Sequence, residues 1–160
     1  MKLIKSSQKN TDLLLDVFLK SKIYKKFNEA LDSDLNKIYF KGNVGSSLSI
    51  YASTILKNIK NNHVFILRDK EEALYFSNDV ESILKNETLF FPSSNRRSYQ
   101  FKGSDNSNIL LRSEVLSRLN NTQNNIVITY PEALSEKVIN NIELENKTIS
   151  IEVDLIYGLE

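Results

Sequence analysis

Apolar residues along this chain fall into two rhythms, and the switch between them predicts its elements. Continuous short runs, KIYF at 37–40, VFIL at 64–67, TLFF at 88–91 and IVITY at 126–130, read as buried strands. Between them the apolar positions take helical spacing. Leu48, Ala52, Ile55, Leu56 and Ile59 predict a helix over 46–60. Ala73, Phe76, Val80 and Ile83 predict one that starts after an Asp69 cap, and Leu111, Val115 and Leu119 one near 108–119. Pro131 suits the first turn of a helix through about 139, and ISIEV at 149–153 alternates as an edge strand does. Ahead of the first strand, TDLLLDVFLK at 11–20 predicts a helix capped by Thr11. A second begins near Ser21, with Tyr24, Phe27 and Leu31 on one face.

Strands alternating with amphipathic helices predict the α/β class: a parallel sheet of about five strands, flanked by helices on both faces and joined by right-handed crossovers. A length of 160 residues suits a single domain, divided here into N-terminal helices at 1–34 and an α/β core at 35–160. Ligands of such sheets bind outside the carboxyl ends of the strands, so the loops at 41–47, 68–70, 92–107 and 129–131 share the edge where function is expected.

Composition narrows the chemistry. A net charge of +1 gives no global attraction to nucleic acid or to an anionic membrane, so any such contact must be local. The absence of Cys excludes disulfides and thiolate metal sites. No apolar run approaches the ~20 residues of a membrane span, and the N-terminus MKLIKSSQKNTD lacks an apolar signal core, so a soluble, cytoplasmic chain with no membrane partner is expected. Lys outnumbers Arg by 16 to 5 and there are 19 Asn, a bias that weakens any argument from lysine counts. The pairs Asn61–Asn62, Asn120–Asn121 and Asn140–Asn141 follow helical patterns, where Asn tolerates the left-handed conformation that ends a helix.

The stretch FKGNVGSSLS at 40–49 resembles the phosphate loop G-x-x-x-x-G-K-[ST], in which backbone N–H groups cradle phosphates, Lys offsets their charge and the hydroxyl holds magnesium. Gly42 and Gly45 supply glycines, but Ser47 stands where the second required Gly belongs and Leu48 where the Lys belongs, with Ser49 at the hydroxyl position. Leu48 can neither neutralise phosphate nor donate a hydrogen bond, and at this spacing it is expected to face the core. The loop is thus expected to be degenerate, a strand-to-helix turn capped by Ser46 that does not support ATP hydrolysis.

Residues 92–107 form a connection longer than the usual ~2–6 residues, and carry Arg96, Arg97 and Lys102 interleaved with Tyr99 and Phe101. That mixture suits contact with DNA or with a neighbouring domain. Arg112 and Arg118, with Glu114 between them, are expected on a solvated face. His63 has no partner at a catalytic spacing and reads as structural. Glu71, Glu72, Asp79 and Glu81 read as helix-surface acids. No Ser-His-Asp order, paired-acid signature or metal motif is present, so catalytic and metal-binding residues are expected to be absent from this chain. A stand-alone nucleotide-binding enzyme and a DNA-binding module are the alternative classes.

The stretch LFFPSSNRRSYQFKGSDNSNILLRSEVLSRLNN, followed by IVITYPEALSEKV, resembles the N-terminal region of bacterial transcription-repair coupling factors, the Mfd family. There a strand ending in FP, a polar loop, an R-x-E-V-L-x-R-L helix and a V-x-T-Y-P-E-A-L junction occur in this order. The likeness extends from the first helices through 149–153, and FKGNVGSSLS fits a degenerate version of the first lobe (domain 1a) of UvrB, a helicase-type, RecA-like fold. The resemblance implies a part of a longer protein that displaces RNA polymerase stalled at DNA lesions and recruits excision repair through UvrA. ATP, magnesium and DNA are then handled by motor domains elsewhere in the parent, and this part needs no cofactor. Its partners would be neighbouring domains. The long aromatic hairpin that enters DNA in UvrB has no counterpart here, so Tyr99 is not expected to read lesions, and Arg96 and Arg97 are assigned to a neighbouring domain before DNA.

Overall fold

A computed structural model describes residues 2–31, 33, 37–94, 107–138, 140 and 143. Helices α1 (Lys2–Leu19), α2 (Lys22–Leu31) and α3 (Ser47–Asn58) precede strand β1 (His63–Ile66). There follow α4 (Lys70–Leu84), β2 (Leu89–Phe90), α5 (Ser107–Asn121), β3 (Ile126–Thr129) and the short α6 (Pro131–Leu134). The class is α/β, with a small parallel sheet in the order β1-β3-β2. Val64 lies opposite Val127 and Phe65 opposite Ile128 on one side of β3, and Leu89 lies opposite Val127 on the other. With a neighbour on each side, β3 buries all four residues, which is why it reads as an uninterrupted apolar run.

Successive residues of β1 point to opposite faces of the sheet. Phe65 packs on Phe76 of α4, with ring centroids 5.0 Å apart, and α4 lies against α3, so these helices cover one face. On the other face, α5 brings Val115, Leu116 and Leu119 over β2 and β3. The core between the layers gathers Ala52, Leu56, Ala73, Phe76, Val80, Val115 and Ile128. Helices α1 and α2 are joined to α3 of the first layer by an aromatic cluster: Phe18 meets Tyr51 edge-on at 4.8 Å, and Phe40 stands between Phe27 and Tyr51.

That cluster corrects the first expected strand. Residues 37–40 are irregular, with Tyr39 87% exposed, because Phe40 is drawn to the α2–α3 aromatic rings and away from the sheet. Among the described residues there are three strands, where about five were expected; 149–153 lies outside them. Thr11 is inside α1 and caps nothing at its start, since KLIKSSQKN holds no Gly or Pro to stop the helix upstream. Ser21 does cap α2, its Oγ accepting from the Tyr24 N–H at 3.1 Å. Asp69 caps α4 as expected, accepting from the Glu72 N–H at 2.9 Å.

The pairs Asn61–Asn62 and Asn120–Asn121 do not end helices in the expected way, and Asn141 of the third pair lies outside the described residues. α3 stops at an extended Ile59, α5 runs through Asn121, and among the described residues the left-handed non-glycine positions are Lys85 and Asn124. Asn62 instead ties the two strand starts together, its Oδ1 accepting from the Asn125 N–H at 2.9 Å and from its side-chain amide at 3.1 Å. Asn140 accepts from the Glu143 N–H at 2.9 Å, the bond of a residue that begins a turn. α6 ends at Leu134, well short of 139, because Glu136 is engaged elsewhere.

Candidate functional site

The glycine-rich stretch sits where the sequence places it, immediately before α3. Gly42 has φ +87° and Gly45 φ +56°, so both are required by the backbone of the turn; a Cβ at either would meet nothing within 4 Å. The hydroxyl of Ser47 accepts from the Val44 N–H at 2.9 Å, closing the turn. Ser46 occupies the N-cap position, but its side chain makes no capping bond, so the expected side-chain cap is not made; the Ser47 bond reaches back to Val44, ahead of the helix. Leu48 is 40% exposed, which corrects its expected core position: one turn into α3 the buried face is formed by Ser49, Ala52, Ser53 and Leu56.

These assignments decide what the loop can hold. Ser49, at the position that would bear magnesium, donates to Asp79 Oδ2 on α4 at 3.0 Å. The helix start therefore faces a carboxylate. A negative side chain there opposes retention of a second anion, and the adjacent Leu48 offers no charge to offset it. Asp79 is thus a tether between α3 and α4, a role beyond that of a surface acid. Glu81 is another: it accepts from the Thr88 N–H at 2.9 Å and from its hydroxyl at 2.8 Å, fixing the approach to β2.

Polar side chains converge most densely at the carboxyl end of β2 and β3. Arg112, expected on a solvated face, is buried at 7% exposure. Its position three residues before Val115 puts it on the inward side of α5, and there its Nη1 donates to Pro92 O at 2.8 Å and Ala133 O at 3.1 Å. Glu136 Oε2 lies 3.4 Å from the same nitrogen, and the guanidinium carbon stands 4.1 Å over the Phe91 ring. Glu136 in turn accepts from Ser93 Oγ at 2.6 Å and from the Ser94 N–H at 2.9 Å, with a further bond from Ser94 Oγ. Burial pushes the Glu136 carboxyl up, but the Ser93 and Ser94 bonds and the Arg112 charge outweigh it and hold it at about 2.

Around this pair the backbone ends are pinned. Thr129 Oγ1 donates to Phe91 O at 2.9 Å, the Ser93 N–H donates to Tyr130 Oη at 2.9 Å, and the Asn108 side-chain amide donates to Ser93 O at 2.9 Å. Arg96, Arg97, Tyr99, Phe101 and Lys102 lie outside the described residues; what the structure places is the two flanks of that connection, joined by Asn108 and Ser93. Sequence reasoning missed Arg112 and Glu136 because a charged residue on a helix is usually solvated. The signal that could have found Arg112 is its helical spacing to Val115 and Leu119.

The remaining candidates are peripheral. Arg118 does lie in a solvated position, paired with Glu87 at 3.0 Å and Glu114 at 2.9 Å. Arg68 pairs with Asp69 at 3.0 Å beyond β1; the Glu72 N–H, then Arg68, hold the Asp69 carboxyl below its ordinary range. His63 opens β1 with Nε2 3.1 Å from Ile59 O, a structural placement. Among the described residues no group of three His, Asp or Glu side chains could hold a metal ion, and no helix is long and apolar enough to cross a membrane.

The clasp predicts a pH dependence. With a folded value near 2 against an ordinary 4.5, Glu136 contributes stability that is complete above pH 4.5 and is lost as pH falls toward 2. Thermal midpoints measured across that window should fall more steeply for the natural chain than for Glu136→Gln; parallel curves would show that Glu136 is not held by these bonds. Comparison of the chain with protein-family models, with curated proteins and with solved structures gives no match.

Proposed function

We propose that the chain is a non-catalytic scaffold module of a bacterial transcription-repair coupling factor, positioning an adjoining lobe that recruits UvrA. The observation that carries this reading is the clasp at Arg112. The FP strand end, the arginine that opens R-x-E-V-L-x-R-L and the V-x-T-Y-P-E-A-L junction are three of the stretches that carry the resemblance, and they meet there through Pro92 O, Arg112 and Ala133 O. Their order along the chain has a physical reason on this reading: each is needed to close the same joint. A scaffold role is further supported by the glycine turn, where the Ser47 and Ser49 hydroxyls are bonded within the fold and the cation position is a leucine. ATP turnover, magnesium, DNA and RNA polymerase belong, on this reading, to other parts of the parent protein.

Titration calorimetry tests it. The chain should bind neither ATP with magnesium nor duplex DNA at low salt, and a longer chain that continues past residue 160 should bind UvrA. Leu48→Lys should leave ATP binding absent, because Ser47 and Ser49 stay engaged and Asp79 still faces the helix start. Micromolar ATP affinity of the natural chain would favour a nucleotide-binding enzyme. Salt-sensitive duplex binding that falls when Arg96 and Arg97 become Ala would favour a DNA-binding module.

A further inference from the structure

At the end of α3 away from the glycine turn, a cavity of about 650 Å³ lies between α2, the last turn of α3 and the start of β1. Its size is that of a small-molecule site, and such sites are mostly apolar with a few placed polar groups. Tyr24 and Phe27 of α2 and Ile55 of α3 give it an apolar wall, while Asn58 and Asn62 are among its polar groups. No carboxylate, ammonium or guanidinium lines it. The two amides are held in opposite senses. Asn58 Nδ2 donates to Thr54 O at 2.8 Å; a carbonyl can only accept, so the nitrogen is the atom turned to the helix and Oδ1 is left over. Asn62 Oδ1 takes both bonds from Asn125, whose N–H can only donate, and this leaves Asn62 Nδ2 as the unused group. Asn58 thus offers an acceptor and Asn62 a donor to one cavity, and neither carries charge.

We propose that this cavity binds an uncharged aromatic carboxamide, its ring against Tyr24 and Phe27, its N–H donating to Asn58 Oδ1 and its C=O accepting from Asn62 Nδ2. A carboxamide carries a donor beside an acceptor on one edge, the complement of this pair. A carboxylate has acceptors only. It would set an oxygen against Asn58 Oδ1 and would enter a cavity that holds no ammonium or guanidinium to offset its lost hydration. An amide without an N–H would cover Asn58 Oδ1 and leave it unpaired, which costs more than the bond itself returns. The site needs neither phosphate nor magnesium, and it is separate from both the glycine turn and the Arg112 clasp.

Benzamide is the probe, titrated into the full chain and followed by nitrogen-edited NMR of the side-chain amides. The Asn58 and Asn62 signals should shift together with a Kd of about 1 mM or tighter, as suits a ligand of so few atoms. Benzoate and N,N-dimethylbenzamide, close to it in shape but without the donor, should each bind at least ~10-fold more weakly. These three titrations use the natural chain, so no change in folding enters the comparison. Ile55→Trp, which fills the cavity from α3, should abolish the shifts. Absence of any shift at ~10 mM benzamide, well above the expected Kd, would overturn the proposal. So would shifts that spare Asn58 and Asn62, or equal affinity for the three compounds, since apolar contact alone would then account for binding.

Discussion

Arg112→Met should cost this fold about 3–5 kcal/mol, the largest loss expected from any single change of a charged residue in it. Methionine nearly fills the space and keeps some contact with Phe91. It cannot donate to Pro92 O or Ala133 O, and it leaves Glu136 without its positive partner at 16% side-chain exposure. In a chain of this size such a loss lowers the thermal midpoint by roughly 10 °C. Arg112→Lys should recover little, because one ammonium on a flexible stem cannot reproduce a planar group that spans two carbonyls and lies on a ring. Changing Arg112 and Glu136 together to apolar residues should be milder than the two single losses added, since no uncompensated charge then remains. Urea unfolding of the natural chain, the two Arg112 variants, the Glu136 single variant and the double variant measures this. A loss below about 1 kcal/mol for Arg112→Met would mean that the pair behaves as a surface ion pair.

Ile128→Ala should be nearly as damaging, by about 2–5 kcal/mol. Ile128 is fully buried in the middle of β3, opposite Phe65 on one side and Phe90 on the other. Strands flank it and helices cover both faces, so little can move in to fill the space of the lost methylenes. Leu48→Ala, at a half-exposed site on α3, should change stability by no more than about 0.5 kcal/mol. The comparison is useful because both are aliphatic truncations: similar effects would show that β3 is not the centre of the core.

How far these elements were legible in the amino-acid order depended on how many independent signals agreed. At α4, a capping Asp69, an apolar stripe at Ala73, Phe76 and Val80, and a following strand all pointed the same way. β3 was legible because IVIT followed by Tyr and Pro combines β-branched residues with a stop. KIYF carried the same run of residue types, yet its Phe40 found aromatic partners on α2 and α3 that no local pattern could reveal. For Arg112, residue type and helical position disagreed, and position was the better guide. The left-handed end of α4 at Lys85 had no local signal at all; Asn pairs drew attention elsewhere. In the glycine turn, the missing cation was readable from Leu48, while the Asp79 carboxylate that faces the helix start came from a residue thirty positions away.

The sheet order has a consequence for how the protein comes into being. β3 is the last of the described strands to leave the ribosome, yet it stands between the other two. A nascent chain that has emerged only through β2 therefore holds two apolar strands with no bond between them and no middle strand to receive them. Its helices can form early, but the sheet must wait for residues 126–129, and with it the joint that draws Pro92 and Ala133 onto Arg112. Until then Val64, Phe65, Leu89 and Phe90 lack their β3 partners, and the exposed edges of β1 and β2 are open to wrong pairings or to a chaperone. Synthesis that stalls before residue 126 would release a chain with helices and no sheet.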